Sequence, residues 1–240
     1  MTTRIPLKDL WRVRPRSDVV ELLTRTQRDK LDKVSHFATY SPGSIITSQG
    51  STGSTVAIVY NGWVKGSTHT PRGTSALNVL YGLGDLLGTE AFTGSTHTET
   101  TMPLHTTRLL VINARDFQNI LAETPRLIWS VHQLEVNRRI IAERRRAAMT
   151  SSTGRERLAL TLISLRYVFT QSTADNGPVI IPLTQDELSE LAGTHRNTTV
   201  EALKTFRSVG ALGTGRGQII ILDAQLLLPY TTHTADEPLI

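Results

Sequence analysis

The amino-acid sequence predicts an α+β fold made of a β-rich half, a long helix and a second, mainly helical half. Short β-prone runs alternate with Gly, Pro, Asn, Ser and Thr from Phe37 to Ile112. The longest run with helical periodicity is Thr124–Met149, and two short helices with a trailing hairpin are predicted within Leu183–Leu222. Two short helices joined by a tight turn are typical of a DNA-reading module.

Composition restricts the classes of protein to which the chain can belong. Its 240 residues are 39% hydrophobic and 20% charged, as in globular domains. Cysteine is absent from the sequence, which excludes disulfides, thiolate nucleophiles and cysteine-held iron–sulfur clusters. No apolar run approaches the roughly 20 residues that span a bilayer, and the N-terminus lacks the apolar core of a signal peptide. We expect a cytoplasmic protein with no membrane partner.

Net charge alone does not predict nucleic-acid binding by the C-terminal part. The overall charge is +5, but residues 1–149 hold 19 Lys and Arg against 12 Asp and Glu, a net +7. Residues 150–240 hold 7 against 9, a net −2. Affinity for phosphates would therefore have to come from a local basic patch.

Turn-forming residues and changes in composition along the chain predict five segments. They are a basic N-terminal arm with a lead-in helix, a β-rich domain, a long helix, a helix-turn-helix domain and a loose tail. Ser151–Gly154 is predicted to be a hinge, and residues 170–178 a polar loop. The bounds of the five segments are 1–30, 31–123, 124–150, 151–230 and 231–240.

Five short runs in the β-rich domain predict a sandwich, barrel or jelly roll. Pro42-Gly43 and Asn61-Gly62 are turn dipeptides, and the second predicts a hairpin. The predicted strands are Ser44–Thr47, Thr55–Tyr60, Trp63–Thr68, Leu77–Leu80 and Leu109–Ile112.

The long helix has a heptad seam, which predicts a homodimer, with Pro125 in its first turn. The alternative is that the helix simply packs on the β-rich domain. The two arginines of the seam could pair with Glu135 and Glu143 or extend to water. The seam consists of Leu127, Val131, Leu134, Arg138, Ile141, Arg145 and Ala148.

Thr184 and Glu187 have capping-box spacing, which predicts that the first short helix begins here. Gly193 is predicted to end it in a left-handed turn, and Thr194 to cap the second helix. The second helix is predicted to bury Thr199, Ala202, Leu203, Phe206 and Val209 and to expose Arg196, Asn197, Val200, Glu201 and Lys204.

The exposed face carries side chains suited to base edges. Arg196 can grip guanine and Asn197 adenine, each through two hydrogen bonds. A helical hairpin that only packs, with a solvated polar face, is the alternative.

Arg155–Phe169 is predicted to be a further helix and Val179–Ile181 a strand. The glycine-rich run 213–217 and Gln218–Leu222 predict a wing with Arg216 at its tip, where it could meet a phosphate.

Several motifs in this order carry a resemblance to a known family. The β-rich part has Pro42-Gly43-x-x-Ile46, Gln49-Gly50, Val56-x-Ile58-Val59-x-x-Gly62-x-Val64-Lys65 and Gly84-Asp85-Leu86-Leu87-Gly88. The C-terminal part has Leu183-Thr184-Gln185-x-Glu187-Leu188-x-x-Leu191-Ala192-Gly193 and Arg196-x-Thr198. Over about residues 30 to 228 the chain resembles the Crp/Fnr family of bacterial transcription regulators.

The resemblance implies an N-terminal jelly-roll-like β-roll sensor domain, a dimerisation helix and a C-terminal winged helix-turn-helix. It further implies a homodimer that binds a palindromic operator in double-stranded DNA under control of a small effector, and it implies no enzymatic activity. RNA polymerase is a further candidate partner. The DNA contacts expected from the resemblance and from helix geometry are Thr184, Arg196, Asn197, Thr198, Glu201, Lys204 and Arg216.

The sensor departs from family members that bind cyclic AMP. The carboxylate after the second glycine is displaced by one residue to Glu90, and His97-Thr98 stands where those members have Arg-Ser. An imidazole cannot replace the two-pronged grip of arginine on a phosphate. A different small effector, or none, is expected. The implied pocket positions are Gly88, Thr89, Glu90, His97, Thr98, Ile140 and Ile141.

The recognition helix departs as well. Many relatives have Arg-Glu-Thr with a second Arg three residues after the threonine, whereas this chain has Asn197 and Glu201 at those two positions. An operator that differs from the family's common half-site is therefore expected.

Two other functions are compatible with parts of the sequence. The first is an enzyme on a cupin-like barrel, with a metal held by His97, Glu99, His105 and His69; no His-x-His pair supports it, and we expect no metal. The second is a regulator that is free of an effector, or responsive to a cyclic nucleotide, and whose helix-turn-helix contacts a protein partner. Glu201 and the acidic C-terminal part favour that alternative.

Overall fold

The computed structural model describes residues 24–71, 73–170, 177–213 and 215–231. Most of the predicted basic arm, residues 171–176 of the predicted polar loop, and the tail from residue 232 lie outside the described residues. The described chain forms two compact units that divide within the long helix, between Asn137 and Arg138. No helix in the described part of the chain is long and apolar enough to cross a membrane.

The first unit contains two antiparallel sheets, which confirms the predicted β-rich half. Its strands are β1 (Ser35–Tyr40), β2 (Thr55–Asn61), β3 (Val64–His69), β4 (Ser75–Tyr81), β5 (Leu86–Leu87), β6 (Thr100–Pro103) and β7 (Thr107–Asn113). One sheet has the order β1-β7-β2-β5 and the other the order β4-β3-β6.

Both faces of the four-stranded sheet are buried. Alternate residues of a strand point to opposite faces. Val56 and Ile58 of β2 accordingly belong to one core cluster, whereas Ala57 and Val59 belong to another. The second cluster also contains Val64 and Tyr81 from the other sheet, so the two sheets enclose it as a roll.

Helices cover the other face of the four-stranded sheet. They are α1 (Arg25–Val34), α2 (Ala114–Ala122) and the first half of α3 (Pro125–Ser151). The sequence patterns did not predict α2, which begins directly after β7 because the side chain of Asn113 accepts a hydrogen bond from the N–H of Arg115 at 2.9 Å. The long helix was predicted to within two residues at its C-terminal end, with Pro125 as its first residue.

Two predictions in the β-rich part are wrong. Asn61-Gly62 does not close a hairpin, because β2 and β3 lie in different sheets and the chain crosses between them at this point. Gly62 has φ +99°, and a Cβ there would lie 2.5 Å from Oγ1 of Thr107. Ser44–Thr47 is not a strand; only Thr47 forms an isolated bridge, to Thr101. Strands β1, β5 and β6 were not predicted.

The second unit is a helix-turn-helix with a wing, as the sequence predicted. After the second half of α3 come α4 (Gly154–Thr170), β8 (Val179–Ile181), α5 (Gln185–Leu191), α6 (Arg196–Ser208), β9 (Leu212–Gly213) and β10 (Ile219–Ile221). The three strands form an antiparallel sheet in the order β8-β10-β9. Fully buried apolar side chains of its core include Leu158, Leu162, Leu188, Leu203, Phe206, Ile221 and Leu227.

The chain after β10 is also part of this core. Gln225–Tyr230 forms a 3₁₀ helix. The ring of Tyr230 packs edge-on against Phe206 with centroids 5.0 Å apart. The folded core of this unit therefore extends to Tyr230.

Candidate functional site

Helix α5 begins at the predicted capping box. The N–H of Thr184 donates to Oε2 of Glu187 at 2.7 Å, and the N–H of Glu187 donates to Oγ1 of Thr184 at 3.2 Å. Two backbone donors at the start of the helix are thereby satisfied. The hydroxyl of Thr184 is a capping group in this structure, although Thr184 remains exposed.

Gly193 makes the turn between the two helices, as predicted, with φ +58°. A Cβ at this position would also lie 2.0 Å from the terminal methyl of Met149, which would have to move, and the left-handed backbone conformation itself favours glycine. The hydroxyl of Ser189 in α5 donates to Oγ1 of Thr199 in α6 at 2.8 Å, within the buried contact of the two helices. This buried hydrogen bond helps to fix their relative angle.

Arg157 of α4 holds the turn, and no sequence pattern had indicated this role. Its Nε donates to the carbonyl of Ala192 at 3.1 Å and its Nη2 to the carbonyl of Gly193 at 2.7 Å. Its Nη1 donates to the carbonyl of Ser152 at 2.6 Å. One guanidinium therefore satisfies three backbone carbonyls that helix ends leave without helical partners.

The start of α6 corrects one prediction. Its N-cap is His195, which makes no side-chain capping bond, and not Thr194. Thr194 instead packs toward the first turn of α4, where its Oγ1 would lie 2.4 Å from a Cβ placed on Gly154. The lack of a β-carbon at Gly154 allows this close contact.

Helix α6 presents the predicted polar face. Its buried side consists of Thr199, Ala202, Leu203 and Phe206, but Val209 is 39% exposed beyond the end of the helix and was wrongly included. Thr198 is half-buried, with its methyl near Gly154. The exposed side chains are Arg196, Asn197, Val200, Glu201 and Lys204.

An ion pair restrains the first residue of this face. Nε of Arg196 lies 2.7 Å from Oδ1 of Asp186 in the first turn of α5, and both side chains are largely exposed, at 73% and 64%. Sequence reasoning missed Asp186, because nothing in the spacing of ten residues predicts contact across the turn. Asp186 therefore occupies the Nε edge of the guanidinium of Arg196, the side chain that was predicted to read a base.

The wing and the two helices enclose a cleft of about 510 Å³, which we call the wing cleft. Arg216 is exposed in the turn between β9 and β10, as predicted. The cleft is lined by Thr184–Asp186 of the first helix, by Arg196, Leu203 and Arg207 of α6, and by the wing residues Leu212, Gly213, Gly215 and Gly217–Ile219.

In the β-roll, five of the seven implied pocket residues lie together. Gly88, at φ +73°, precedes a 3₁₀ helix, Thr89–Phe92, that contains Glu90. Oε1 of Glu90 accepts from the N–H of Thr98 at 3.2 Å and from its hydroxyl at 2.8 Å. Oε2 of Glu90 lies 3.5 Å from Nδ1 of His97. Burial raises the pKa of Glu90, but hydrogen bonds from its own backbone, Thr98 and His97 outweigh that effect, so the net pKa is below the ordinary value.

His97 is a packed residue, only 6% exposed. A Cβ at Gly53 would lie 2.2 Å from Nε2 of His97, so Gly53, which the sequence did not single out, provides space for the imidazole. His69 and His105 are exposed. In the described part of the chain no three His, Asp or Glu side chains are grouped so as to hold a metal ion.

Ile140 and Ile141 were placed in the same pocket by resemblance. Both lie on α3 beyond the division between the units and are half-buried. Their part in the pocket stays a prediction.

The predicted dimer seam of α3 needs correction in its first half. Leu127 and Leu134 are buried in the core of the β-roll unit, and Val131 packs against that core. On the opposite side of the helix Ile128 is 47% and Trp129 66% exposed. In the second half, burial lowers the pKa of Arg145 to about 10, so it remains a cation at neutral pH.

Two family models match the chain in the order of its two units. The model of the cyclic nucleotide-binding domain matches residues 37–124, and that of the Crp-like helix-turn-helix domain matches residues 156–230. Together they span more than half of the chain. A comparison with curated protein sequences found no match.

Several solved structures, among them those of regulators, are similar to the chain. FixK2 from Bradyrhizobium japonicum has 18% identity and a TM-score of 0.72, over 84% of this chain and 99% of FixK2. The c-di-GMP responsive global regulator CLP of Xanthomonas campestris has 16% identity and a TM-score of 0.70, over 83% and 99%. A CRP/FNR-family transcriptional regulator from Thermus thermophilus has 21% identity and a TM-score of 0.68, over 82% and 99%. At these identities the likeness establishes the fold.

Proposed function

Because this chain belongs to the Crp/Fnr family of transcription regulators, we propose that it is a homodimeric, sequence-specific regulator that binds a palindromic operator in double-stranded DNA. A regulator of this kind works in the cytoplasm, and its role is binding and not catalysis. RNA polymerase remains a candidate partner.

The observation that carries the proposal is the exposed polar face of α6. It lies on a helix whose opposite side is buried and whose entry is fixed by the turn at Gly193. A recognition helix contacts base edges mainly with its N-terminal residues, which here are Arg196 and Asn197. Arg216 on the wing is placed to meet the backbone. Thr184, Thr198, Glu201 and Lys204 complete the proposed contacts.

The effector, if one is used, is proposed to differ from cyclic AMP. The carboxylate of Glu90 already accepts both donors of Thr98, which a cyclic phosphate would otherwise need. His97, beside it, is buried and cannot grip a phosphate through two parallel hydrogen bonds. CLP, which has this fold, is described as responsive to c-di-GMP, so the fold does not restrict the effector to cyclic AMP.

The proposed dimer uses the side of α3 that does not face its own β-roll. We call Ile128, Trp129, His132 and Val136 the dimer face; the first three are exposed and Val136 is half-buried. The spacings of three and four residues from Trp129 to Val136 place them on one side of the helix. Two recognition helices in a twofold dimer would face half-sites about 34 Å apart.

Selection of random duplexes by the full-length protein tests the proposal. The parent is expected to recover a palindrome, and Arg196→Ala is expected to lose base preference at one half-site position, which corresponds to about 1–3 kcal/mol. Arg155→Ala, at an exposed arginine of α4, is the matched control. Failure to select any sequence at low salt would contradict the proposal. It would favour the alternative of protein contacts, to which the exposed carboxylates of Asp186 and Glu201 also point.

A further inference from the structure

Arg207 lines the wing cleft without a partner for part of its guanidinium. Its Nε is buried and has no hydrogen-bond partner among the described residues. Arginine is always charged in proteins, and a buried donor left unpaired destabilises the fold. An acceptor that enters the cleft and reaches this guanidinium would offset part of that cost.

Charge in the cleft is unbalanced at the same place. Asp186 is the one carboxylate among the described lining residues, and Arg196 engages it at 2.7 Å. The charge of Arg207 therefore has no counterpart in the lining. The walls around it include the apolar side chains Leu203, Leu212 and Ile219, which lower the local dielectric and strengthen an interaction with an anion.

The fork of a guanidinium matches two oxygens of a phosphate. The side-chain amide of Gln218 lies in the same lining and can donate a further hydrogen bond. The cleft lies between α6 and the turn of the wing, which are the two elements proposed above to lie on DNA. A strand of the DNA backbone that passes between them would bring phosphates to its opening.

We propose that the wing cleft is a phosphate site in which Arg207 is the anchoring residue. The inference rests on the proposed function for the source of the phosphate, which is the DNA backbone. A free phosphate group would use the same chemistry, and the experiment separates the two sources.

The first measurement is binding of the full-length protein to its selected duplex and to an unrelated duplex over a range of salt concentrations. Arg207→Gln is expected to weaken both complexes alike, about tenfold at low salt, and to reduce the salt slope by about one. Arg207→Lys, which keeps the charge but loses the fork, is expected to recover part of the affinity. Arg155→Gln is the control and is expected to match the parent. A loss confined to the selected duplex would make Arg207 a base contact and would overturn the proposal.

The second measurement needs no DNA. The melting temperature is compared in inorganic phosphate and in sodium chloride of equal ionic strength, for the parent and for Arg207→Gln. A rise specific to phosphate that the variant loses would identify free phosphate as a ligand. An effect on DNA alone would identify the backbone as the source. If Arg207→Gln matches the parent in both measurements, the cleft is not a phosphate site. The proposed function, by contrast, fails only if the parent protein selects no duplex.

Discussion

In the proposed complex with DNA, the contact between Asp186 and Arg196 would give the first helix of the pair a part in base reading. An exposed ion pair contributes only about 0–1 kcal/mol to stability, so its main effect is on the position and the availability of the arginine. Asp186 holds one edge of the guanidinium in place and at the same time adds a negative charge to a surface that would approach phosphates.

Asp186→Asn is expected to raise affinity for all duplexes, because it removes a charge that repels phosphates, and to broaden base preference at the position read by Arg196. The melting temperature is expected to stay nearly constant. Duplex binding and repeated selection would measure both effects. Glu190→Gln, on the same helix but outside the cleft lining, is the comparison, and equal affinities for the two variants would contradict this role of Asp186.

Glu90 gives the β-roll a defined dependence on pH. Its pKa in the folded protein lies below the ordinary value of 4.5, because hydrogen bonds favour the carboxylate. The stability it contributes is therefore present above the unfolded-state pKa and is lost as pH falls through the folded-state pKa. Glu90→Gln is expected to lower the melting temperature at neutral pH, and the difference from the parent is expected to shrink below about pH 4.5. Thermal unfolding across pH measures this. Glu143→Gln, at an exposed carboxylate, should show no such trend.

At the scale of elements, one side of the first half of α3 packs on its own domain, and the opposite side is the one proposed to bind a second copy. Trp129→Ala is expected to weaken the dimer at least tenfold, because a large exposed aromatic ring is a common anchor of interfaces. Sedimentation at several concentrations would measure the change. Arg126→Ala, at an exposed residue on another side of the helix, should leave the dimer intact. A monomeric parent, or an unchanged dimer in the Trp129 variant, would contradict the assignment.

The helix-turn-helix was largely predictable because its signals are local. A capping box and a glycine with positive φ depend on residues within one or two turns, and the structure confirms both. The heptad seam was partly misread because a helix that packs on its own domain and one that packs on a second copy have the same periodicity. The hairpin predicted at Asn61-Gly62 was wrong for a similar reason, because a crossing between sheets can require the same backbone conformation as a hairpin turn.

The residues missed at the candidate site share another property. Asp186, Arg157 and Gly53 all act on partners that are distant in sequence or on the far side of a turn. No periodic pattern in the sequence predicts that Arg157 contacts the carbonyls of Ala192 and Gly193, which lie 35 and 36 residues further along the chain. Contacts of this kind arise only when the fold brings the segments together.

At the scale of the molecule, the β-roll and the DNA-binding unit are coupled only if a ligand binds one state better than another. Glu90 occupies the donors of Thr98, so cyclic AMP at millimolar concentration is expected to leave the melting temperature and the duplex affinity unchanged. Thermal shift and duplex binding with and without the nucleotide would measure this. A rise of several degrees would show that another group holds the phosphate.

Arg157 also determines where the chain can be divided for expression. Its guanidinium joins the carbonyl of Ser152, just after the long helix, to those of Ala192 and Gly193. Met149, three residues earlier, covers Gly193. A DNA-binding fragment that starts at Thr153 would leave one carbonyl partner and this apolar cover behind. The shortest fragment that keeps the turn as it is in the whole protein must therefore include the last turn of the long helix.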